Sequence, residues 1–195
     1  MNYLAHFHLS YGDRPLLLGA LLGDFVKGPL AGDFDTGIEK GILLHRKIDA
    51  FTDSHPEIRA ACRRFAPRYR RYGGILLDIV FDHFLSRHWQ QFHERSLQAF
   101  SDEIYSLLAG TDQLEDGARR QADRLVRYNV LAGFGDWRTV EAALARVSEK
   151  LARENPLIHA PEELAYHYDY LETLFLGFYP QLVTYAEMTK RELLD

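Results

Sequence analysis

Apolar residues recur every three or four positions along most of the chain, which is the spacing of an amphipathic α-helix. The pattern is clearest in PLLLGALLGDFV, GIEKGILLHRKIDAF, GILLDIVFDHFLSRHWQQF, LQAFSDEIYSLLA, ARRQADRLVRYNVLAGF and RTVEAALARVSEKLA. No convincing pair of alternating strands with a turn between them is present. The sequence therefore predicts an all-α protein.

Clusters of glycine and proline predict where these helices end. They occur at KGPLAGD, APRYRRYGG, AGTD, AGFGDW and ENPLIHAP, and none is long enough to link two domains. Three pairs also match a capping box, in which two side chains bind free backbone N–H groups: Thr36 with Glu39, Ser54 with Glu57 and Asp112 with Glu115. We expect one domain over residues 1–195, a bundle of about seven or eight helices, with an aromatic last segment divided at Gly177 and Pro180.

Length and composition narrow the class of protein. At 195 residues, 47% of them hydrophobic, the chain can bury one sizeable core. Its single cysteine, Cys62, excludes an internal disulfide and a cysteine-based zinc cluster, so any metal must be held by His, Asp and Glu. No apolar run approaches the roughly 18 residues of a membrane span, and no secretory signal is visible, so we expect a soluble cytoplasmic protein without a membrane partner.

The formal net charge of -5 conceals one strongly basic segment. The stretch RAACRRFAPRYRR contains no acid and six arginines: Arg59, Arg63, Arg64, Arg68, Arg70 and Arg71. The acidic remainder argues against general nucleic-acid binding, whereas a local basic patch suits a discrete acidic partner. A solvated helix and turn is the alternative, because runs of charge usually face water.

The stretch LLHRKIDAFTDSH, residues 43–55, mixes apolar and ionisable positions on a predicted helix. His45 and Asp49 are four residues apart and therefore project from one face, beside an apolar stripe. Such groups are costly to bury unless they pair or bind an ion. Either could instead be structural, His45 as a core histidine and Asp49 as the partner of a nearby cation. Asp53 and His55 stay undecided between ligand, cap and hinge.

A second predicted helix, GILLDIVFDHFLSRHW, repeats the combination in almost wholly apolar surroundings. Asp78 and Asp82 are four residues apart and His83 follows directly, so a helix that is buried nearly all round carries three ionisable groups. Three more ionisable residues have apolar neighbours: Asp24, His6 and His8.

Carboxylate and imidazole groups together are ligands for a hard or borderline divalent ion, and this set favours Mn²⁺, Mg²⁺ or Fe²⁺. Such an ion activates water near neutral pH and neutralises phosphate oxygens. The residues alone therefore indicate hydrolysis of a phosphate ester.

Four stretches carry a resemblance to a known family. MNYLAHFHLS, LLGALLGDFVKG, GILLHRKIDAFTDSHP and GGILLDIVFDHFLSRHW resemble, in order and spacing, the acyl carrier protein phosphodiesterase family. The likeness is close over roughly residues 1–95 and looser beyond, where the ending GFYPQLVTYAE agrees. The family is regarded as a distant relative of the all-helical histidine–aspartate (HD) metal-dependent phosphohydrolases. This chain departs from their pattern, since it has only the reversed pair Asp82-His83.

The resemblance implies hydrolysis of the phosphodiester that links 4'-phosphopantetheine to the serine of holo acyl carrier protein, giving apo acyl carrier protein and 4'-phosphopantetheine. It also implies a divalent metal, typically Mn²⁺. The expected ligands are Asp24, His45, Asp49, Asp82 and His83. Asp78 would orient a histidine ligand, Arg46 would stabilise the phosphate oxygens, and His6 or His8 would protonate the departing serine oxygen. The arginine segment would then dock the acidic carrier protein.

Two alternatives stay open from the sequence. One is an HD-type phosphohydrolase that acts on a nucleotide or another small phosphoester, with the arginines binding substrate phosphate. The other is a non-catalytic helical interaction module, in which the polar core groups only pair with one another. The sequence does not indicate the oligomeric state.

Overall fold

The structure, a computed structural model that describes all 195 residues, consists of α-helices and short 3₁₀ segments without a β-strand. The helices are α1 (Tyr3–Leu9), α2 (Arg14–Leu22), α3 (Thr36–Ser54), α4 (Pro56–Arg64), α5 (Gly73–Arg87), α6 (Leu97–Ala109), α7 (Asp116–Arg127), α8 (Val130–Gly133), α9 (Trp137–Lys150), α10 (Ala160–Tyr166) and α11 (Tyr168–Leu194). The 3₁₀ segments are Arg70–Tyr72, Trp89–Gln91 and Leu157–His159. The all-α prediction is confirmed, and none of the helices is long and apolar enough to span a lipid bilayer.

The helices outnumber the seven or eight that the sequence predicts. Each of the five glycine and proline clusters does lie at a boundary between helices. The additional helices include α1, α8 and α10, which have seven, four and seven residues. Segments this short hold at most two turns, so hydrophobic periodicity does not distinguish them from loops.

The predicted division of the last segment is wrong. Helix α11 runs through Gly177 and Pro180 as one element of 27 residues. Proline removes one backbone N–H and strains the preceding turn, a cost that packing offsets here. Phe178 and Leu182, on either side of Pro180, are completely buried.

The three predicted capping boxes do not form. Helices α3 and α4 begin at Thr36 and Pro56, and α7 begins at Asp116, all without a hydrogen bond from the preceding capping side chain. The threonine and serine therefore lie inside helices rather than at the capping position, and Glu39 accepts instead from the backbone N–H of Gly32 at 2.9 Å.

Helices α2 and α3 cross at a pair of glycines. A Cβ atom on Gly19 would lie 2.5 Å from backbone atoms of Gly41, so any side chain there would force the helices apart. This close crossing brings the end of α2, with Gly23 and Asp24 directly after it, against His45 of α3.

Helix α1 is held in place by α5. The carboxylate of Asp82, which is completely buried, accepts hydrogen bonds from the backbone N–H groups of Leu4 at 2.8 Å and Ala5 at 3.0 Å. These donors belong to the first turn of α1, where no intrahelical acceptor exists and where the side chain of Asn2 provides no cap. Asp82 thus replaces a local cap and fixes α1 with His6 toward α3.

Candidate metal centre

Three ionisable side chains from two helices meet beside the end of α2. His6 of α1 and His45 and Asp49 of α3 each place one ligand atom within 4.8 Å of the others. The two imidazole rings stack with centroids 3.7 Å apart and planes 9° from parallel. Both histidines are buried, whereas 39% of the Asp49 side chain is exposed, so the cluster opens to solvent on the aspartate side.

Both nitrogens of His45 face oxygen acceptors. Nδ1 lies 2.8 Å from the carbonyl oxygen of Ala20 and donates to it. A neutral imidazole has only one N–H, so Nε2 presents its lone pair toward carboxylates, at 3.2 Å from Asp49 and 3.7 Å from Asp24. The Nε2 lone pair and the carboxylate oxygens repel each other, and a cation between them would remove this repulsion. The hydrogen bond to the Ala20 carbonyl already orients the ring for such a contact.

His6 leaves one nitrogen without a partner. Its Nε2 lies 3.1 Å from both the carbonyl oxygen of Met1 and Asp49 Oδ1, whereas its Nδ1 is buried and unpaired. Burial, followed by the charge of His45, lowers the pKa of His6 to about 4. A histidine that is neutral at pH 7 is suited to bind a metal and poorly suited to donate a proton, the role that the sequence suggested.

Gly23 allows His45 to approach α2. A Cβ atom on Gly23 would lie 2.2 Å from the His45 ring, closer than any real contact, so this position admits only glycine without moving the histidine. The next residue, Asp24, then presents its carboxylate to the same ring.

The N-terminal ammonium adds a cation to the cluster. The Met1 nitrogen is buried and lies 3.0 Å from Asp49 Oδ1 and 3.0 Å from Asp78 Oδ1. Burial lowers the pKa of this ammonium, but the two aspartates outweigh it and raise the pKa to about 11. Burial likewise raises the pKa of Asp49, but the adjacent His45 and His6 rings and the Met1 ammonium reverse the effect, so its pKa lies well below the usual range. Asp78 thus pairs with Met1 and, contrary to the sequence prediction, does not orient a histidine.

Arg46 lies at the edge of the cluster. Together with Asp24, His45 and Asp49 it lines a small pocket of about 360 Å³. Its guanidinium donates to the carbonyl oxygen of Val26 at 2.9 Å, which fixes the side chain beside the carboxylates. The structure therefore brings together five predicted site residues: His6, Asp24, His45, Arg46 and Asp49.

Asp82 and His83, which the sequence suggested as metal ligands, are not part of this cluster. The Asp82 carboxylate caps α1, as described above. His83 lies with its Nδ1 2.8 Å from the carbonyl oxygen of Phe134 and its Nε2 2.9 Å from the hydroxyl of Tyr168. Because their ligand atoms are occupied by other groups, both residues leave the candidate ligand set.

His8, suggested as a proton donor, is also separate. Its Nδ1 lies 2.9 Å from the hydroxyl of Tyr179 and its Nε2 3.1 Å from the carbonyl oxygen of Phe92. These contacts tie α1 to α11 and give His8 a structural role. Among the undecided residues, Asp53 is exposed at the end of α3, and His55 packs edge-on against Phe178 with 4.9 Å between ring centroids.

The cluster has the donor chemistry of a divalent-cation site. Two imidazoles and one carboxylate converge, a second carboxylate lies beside them, and His45 is oriented by a backbone carbonyl. This combination of nitrogen and oxygen ligands suits Mn²⁺ or Fe²⁺. The residues present therefore fit a bound ion, with His6, His45, Asp49 and Asp24 as the ligand set. The ligands predicted from the sequence do not include His6, although its apolar neighbours are a signal for a buried histidine.

All six arginines of the basic segment are exposed. Three of them stack on tyrosines: Arg64 lies 4.2 Å from the Tyr170 ring centroid, and Arg68 and Arg71 lie 4.7 and 4.9 Å from those of Tyr69 and Tyr72. The arginine ion pairs of the chain involve Arg95, Arg119 and Arg138 instead. We call the exposed six the basic surface; it carries positive charge that no carboxylate of this chain neutralises.

Comparisons with known proteins connect this geometry to one family. A family model described as acyl carrier protein phosphodiesterase matches residues 1–182, which include the whole cluster and the basic surface. Among proteins named acyl carrier protein phosphodiesterase, that of Serratia proteamaculans (strain 568) is 37% identical, over 96% of this chain and 98% of its own length. Those of Pectobacterium atrosepticum and Salmonella agona are 35% and 36% identical, over 96% and 95% of this chain and 98% and 97% of their own lengths. No solved structure matches the chain.

Proposed function

Because this chain belongs to the acyl carrier protein phosphodiesterase family, we propose that it hydrolyses the phosphodiester between 4'-phosphopantetheine and the serine of holo acyl carrier protein. Water supplies the hydroxyl group that ends on phosphorus, the serine oxygen takes a proton, and the products are apo acyl carrier protein and 4'-phosphopantetheine. The match of the family model over residues 1–182 carries this proposal.

The cluster described above is the proposed reaction centre. His6, His45, Asp49 and Asp24 would hold a divalent cation, for which Mn²⁺ is the first candidate and Mg²⁺ and Fe²⁺ are alternatives. Such an ion, when bound, lowers the pKa of water and neutralises charge on phosphate oxygens. The position of the Nε2 atoms of His6 and His45, 3.1 and 3.2 Å from the Asp49 carboxylate, supports this assignment.

The other residues of the cluster have roles that follow from their contacts. The carbonyl of Ala20 keeps the proton of His45 on Nδ1, so Nε2 stays available to the ion. Arg46, held by the carbonyl of Val26, binds a phosphate oxygen of the substrate in the adjoining pocket. The Met1 ammonium and Asp78 fix the position of the Asp49 carboxylate.

The basic surface is the proposed docking site for the carrier protein. Its arginines lack carboxylate partners, and an acidic protein would supply them. It also lies near the reaction centre, since α4 packs on the first turn of α5: a Cβ atom on Gly73 would lie 2.8 Å from the side chain of Cys62. Asp78, which pairs with Met1, lies farther along α5 and is close enough for its charge to raise the pKa of Cys62, in addition to the larger effect of burial.

Mass spectrometry of holo acyl carrier protein tests the proposal directly. After incubation with the protein and Mn²⁺, we expect the carrier to lose 4'-phosphopantetheine with its phosphate and to retain an unmodified serine. A chelator should prevent the reaction, and Asp49→Ala should abolish it while the variant stays folded. A parallel incubation with a panel of nucleotides provides the contrast. Hydrolysed nucleotide beside intact holo carrier would overturn the proposal in favour of a nucleotide phosphohydrolase.

A further inference from the structure

A cleft begins beside the candidate metal centre. It has a volume of about 610 Å³ and lies between α5, α7, α9 and the start of α1. Met1, Asp24 and Asp78 border it, and Asp24 also borders the small pocket that contains His45 and Arg46. A molecule in this cleft would therefore touch the edge of the reaction centre.

Three residues that line this cleft each have a nitrogen donor without a hydrogen-bond acceptor. Gln121 Nε2, Arg124 Nε and Arg146 Nε are all buried and lack a hydrogen-bond partner. Gln121 as a whole is only 4% exposed. Buried donors are nearly always paired in folded proteins, because leaving one unpaired costs about 1–3 kcal/mol. Three such donors in polar side chains that line one cleft favour a ligand that presents acceptors to these side chains.

The cations of the cleft also lack an opposite charge. Burial, followed by the charge of Arg146, lowers the pKa of Arg124. Burial, followed by the charges of the same two arginines, lowers the pKa of Lys150. The three cations therefore repel one another, and none of them forms an ion pair with a carboxylate. This arrangement is stabilised by an anion.

Asp24 and the two arginines line the same cleft, and Tyr3 lines it with them. A phosphate group held by Arg124 and Arg146 would therefore lie in the same cavity as the edge of the candidate metal centre.

About half of the residues that line the cleft are hydrophobic. Its wall includes Ile75 and Ile79 of α5, Phe134, and Ala143 and Val147 of α9. Such a surface suits an uncharged chain, and the volume lies in the range of about 300–1,000 Å³ that small-molecule sites occupy. The cleft thus matches a ligand with a phosphate at one end and an uncharged, partly apolar chain at the other.

We propose that this cleft binds the 4'-phosphopantetheine arm, with Gln121, Arg124 and Arg146 on its phosphate and the apolar wall along its pantetheine chain. This inference rests on the proposed function, because it names the part of the substrate that enters this site. The product of hydrolysis carries an additional negative charge on the same phosphate, so the cleft holds 4'-phosphopantetheine after the bond is cut and makes it a product inhibitor.

Calorimetric titration of the full chain tests the inference without turnover. Three ligands are compared: 4'-phosphopantetheine, pantetheine and inorganic phosphate. We expect 4'-phosphopantetheine to bind at least about tenfold more tightly than either fragment, because only it uses both parts of the cleft. Equal affinity for pantetheine and 4'-phosphopantetheine would overturn the inference, since the donors would then contribute nothing.

Variants separate the two parts of the cleft. The double change Arg124→Gln and Arg146→Gln should weaken 4'-phosphopantetheine at least about tenfold and leave pantetheine unchanged. Ala143→Phe, which fills the apolar part, should weaken both ligands. Arg127→Gln is the matched control, since Arg127 is an exposed arginine of α7 outside the cleft. Thermal melting checks that each variant is folded, and the double variant should melt no lower than the parent because it removes a repulsion.

The outcomes for this inference and for the proposed function are distinguishable. If the chain binds 4'-phosphopantetheine in an arginine-dependent way and leaves holo carrier intact, the proposed function fails and the binding site stands. If the chain cleaves holo carrier, and the double variant retains the parental KM and product inhibition constant, the cleft is not the binding site. Absence of any binding by the parent protein also overturns the inference.

Discussion

The imidazole rings of His6 and His45 stack face to face, 3.7 Å between centroids, although they come from different helices. Two charged imidazoles would repel each other in this arrangement, and the low pKa of His6, about 4, reflects its burial and this proximity. Burial, together with the stack, therefore keeps His6 neutral at physiological pH. The position of His6 depends on Asp82, which fixes α1. The position of His45 depends on Gly23, which leaves room for the ring.

Replacing His6 separates its role from that of His8, two residues along the same helix. We expect His6→Gln to lower turnover of holo carrier protein by at least about 100-fold, since removal even of groups that only support a metal ligand costs about 10–100-fold. His8→Gln should retain most activity and lower the free energy of unfolding by about 1–2 kcal/mol, because it weakens the contacts with Tyr179 and Phe92. Initial rates and urea unfolding measure the two effects. Equal losses of activity would contradict the separation.

A methyl group at Gly23 should disable the site. In Gly23→Ala the new Cβ would lie 2.2 Å from the His45 ring, so the ring must move from its present position beside Asp49. We expect turnover to fall at least about tenfold, and metal affinity by a similar factor, because the site geometry no longer matches the ion. Gly177→Ala is the control, because a Cβ there meets open space and alanine favours the helix by up to about 1 kcal/mol. Full activity of Gly23→Ala would mean that the ring position does not matter.

The contribution of Asp82 to stability should depend on pH. Burial raises the pKa of Asp82 to about 7, against the two backbone hydrogen bonds that lower it. Because the folded-state pKa lies above the unfolded one, this group's stabilisation is complete below the unfolded value and is lost as the pH rises through about 7. Asp82→Asn does not titrate. The difference in free energy of unfolding between the parent and this variant should therefore shrink by roughly 2 kcal/mol between about pH 5 and about pH 8.

Urea unfolding at several pH values measures this difference. Asp82→Asn also replaces one acceptor of the α1 cap by a donor, so the variant should be the less stable protein at about pH 5. A difference that widens with rising pH would show that the two N–H groups stabilise the ionised carboxylate more than burial destabilises it.

Charge reversal on the basic surface should slow association with the carrier protein. We expect Arg59→Glu with Arg63→Glu to lower kcat/KM roughly 10- to 100-fold at low ionic strength and to leave kcat nearly unchanged. Added salt should reduce the difference in kcat/KM between the parent and the variant, since salt screens exposed charges. Arg14→Glu with Arg153→Glu, two exposed arginines elsewhere, serves as the matched control. If both pairs behave alike, only net charge matters and the basic surface is not the docking site.

Much of the fold could be predicted because it depends on local spacing. Apolar residues that recur every three or four positions predict the all-α class, and clusters of glycine and proline predict the boundaries between helices. The same spacing placed His45 and Asp49 on one face of α3, where the structure has them. Pro180 shows the limit of such reasoning, since a residue that usually ends helices lies within one whose neighbours are held by the core.

The composition of the cluster could not be predicted in full, because burial of a polar residue does not identify its partner. Asp78, Asp82 and His83 share one apolar helix in the sequence, and the structure gives each a different partner: the Met1 ammonium, the first turn of α1, and the carbonyl of Phe134 with the hydroxyl of Tyr168. Those partners are distant in sequence. Only the three-dimensional arrangement shows that two of these groups hold α1 rather than an ion.

The way α1 is held also bears on how the protein folds. Residues of this helix contact Asp49, Asp82 and Tyr179, which lie progressively farther along the chain. Contacts between residues so far apart form slowly, since the intervening chain must first be ordered. We therefore expect α1, and with it the stacked pair of His6 and His45, to reach its final position late in folding, after α3, α5 and α11 are ordered.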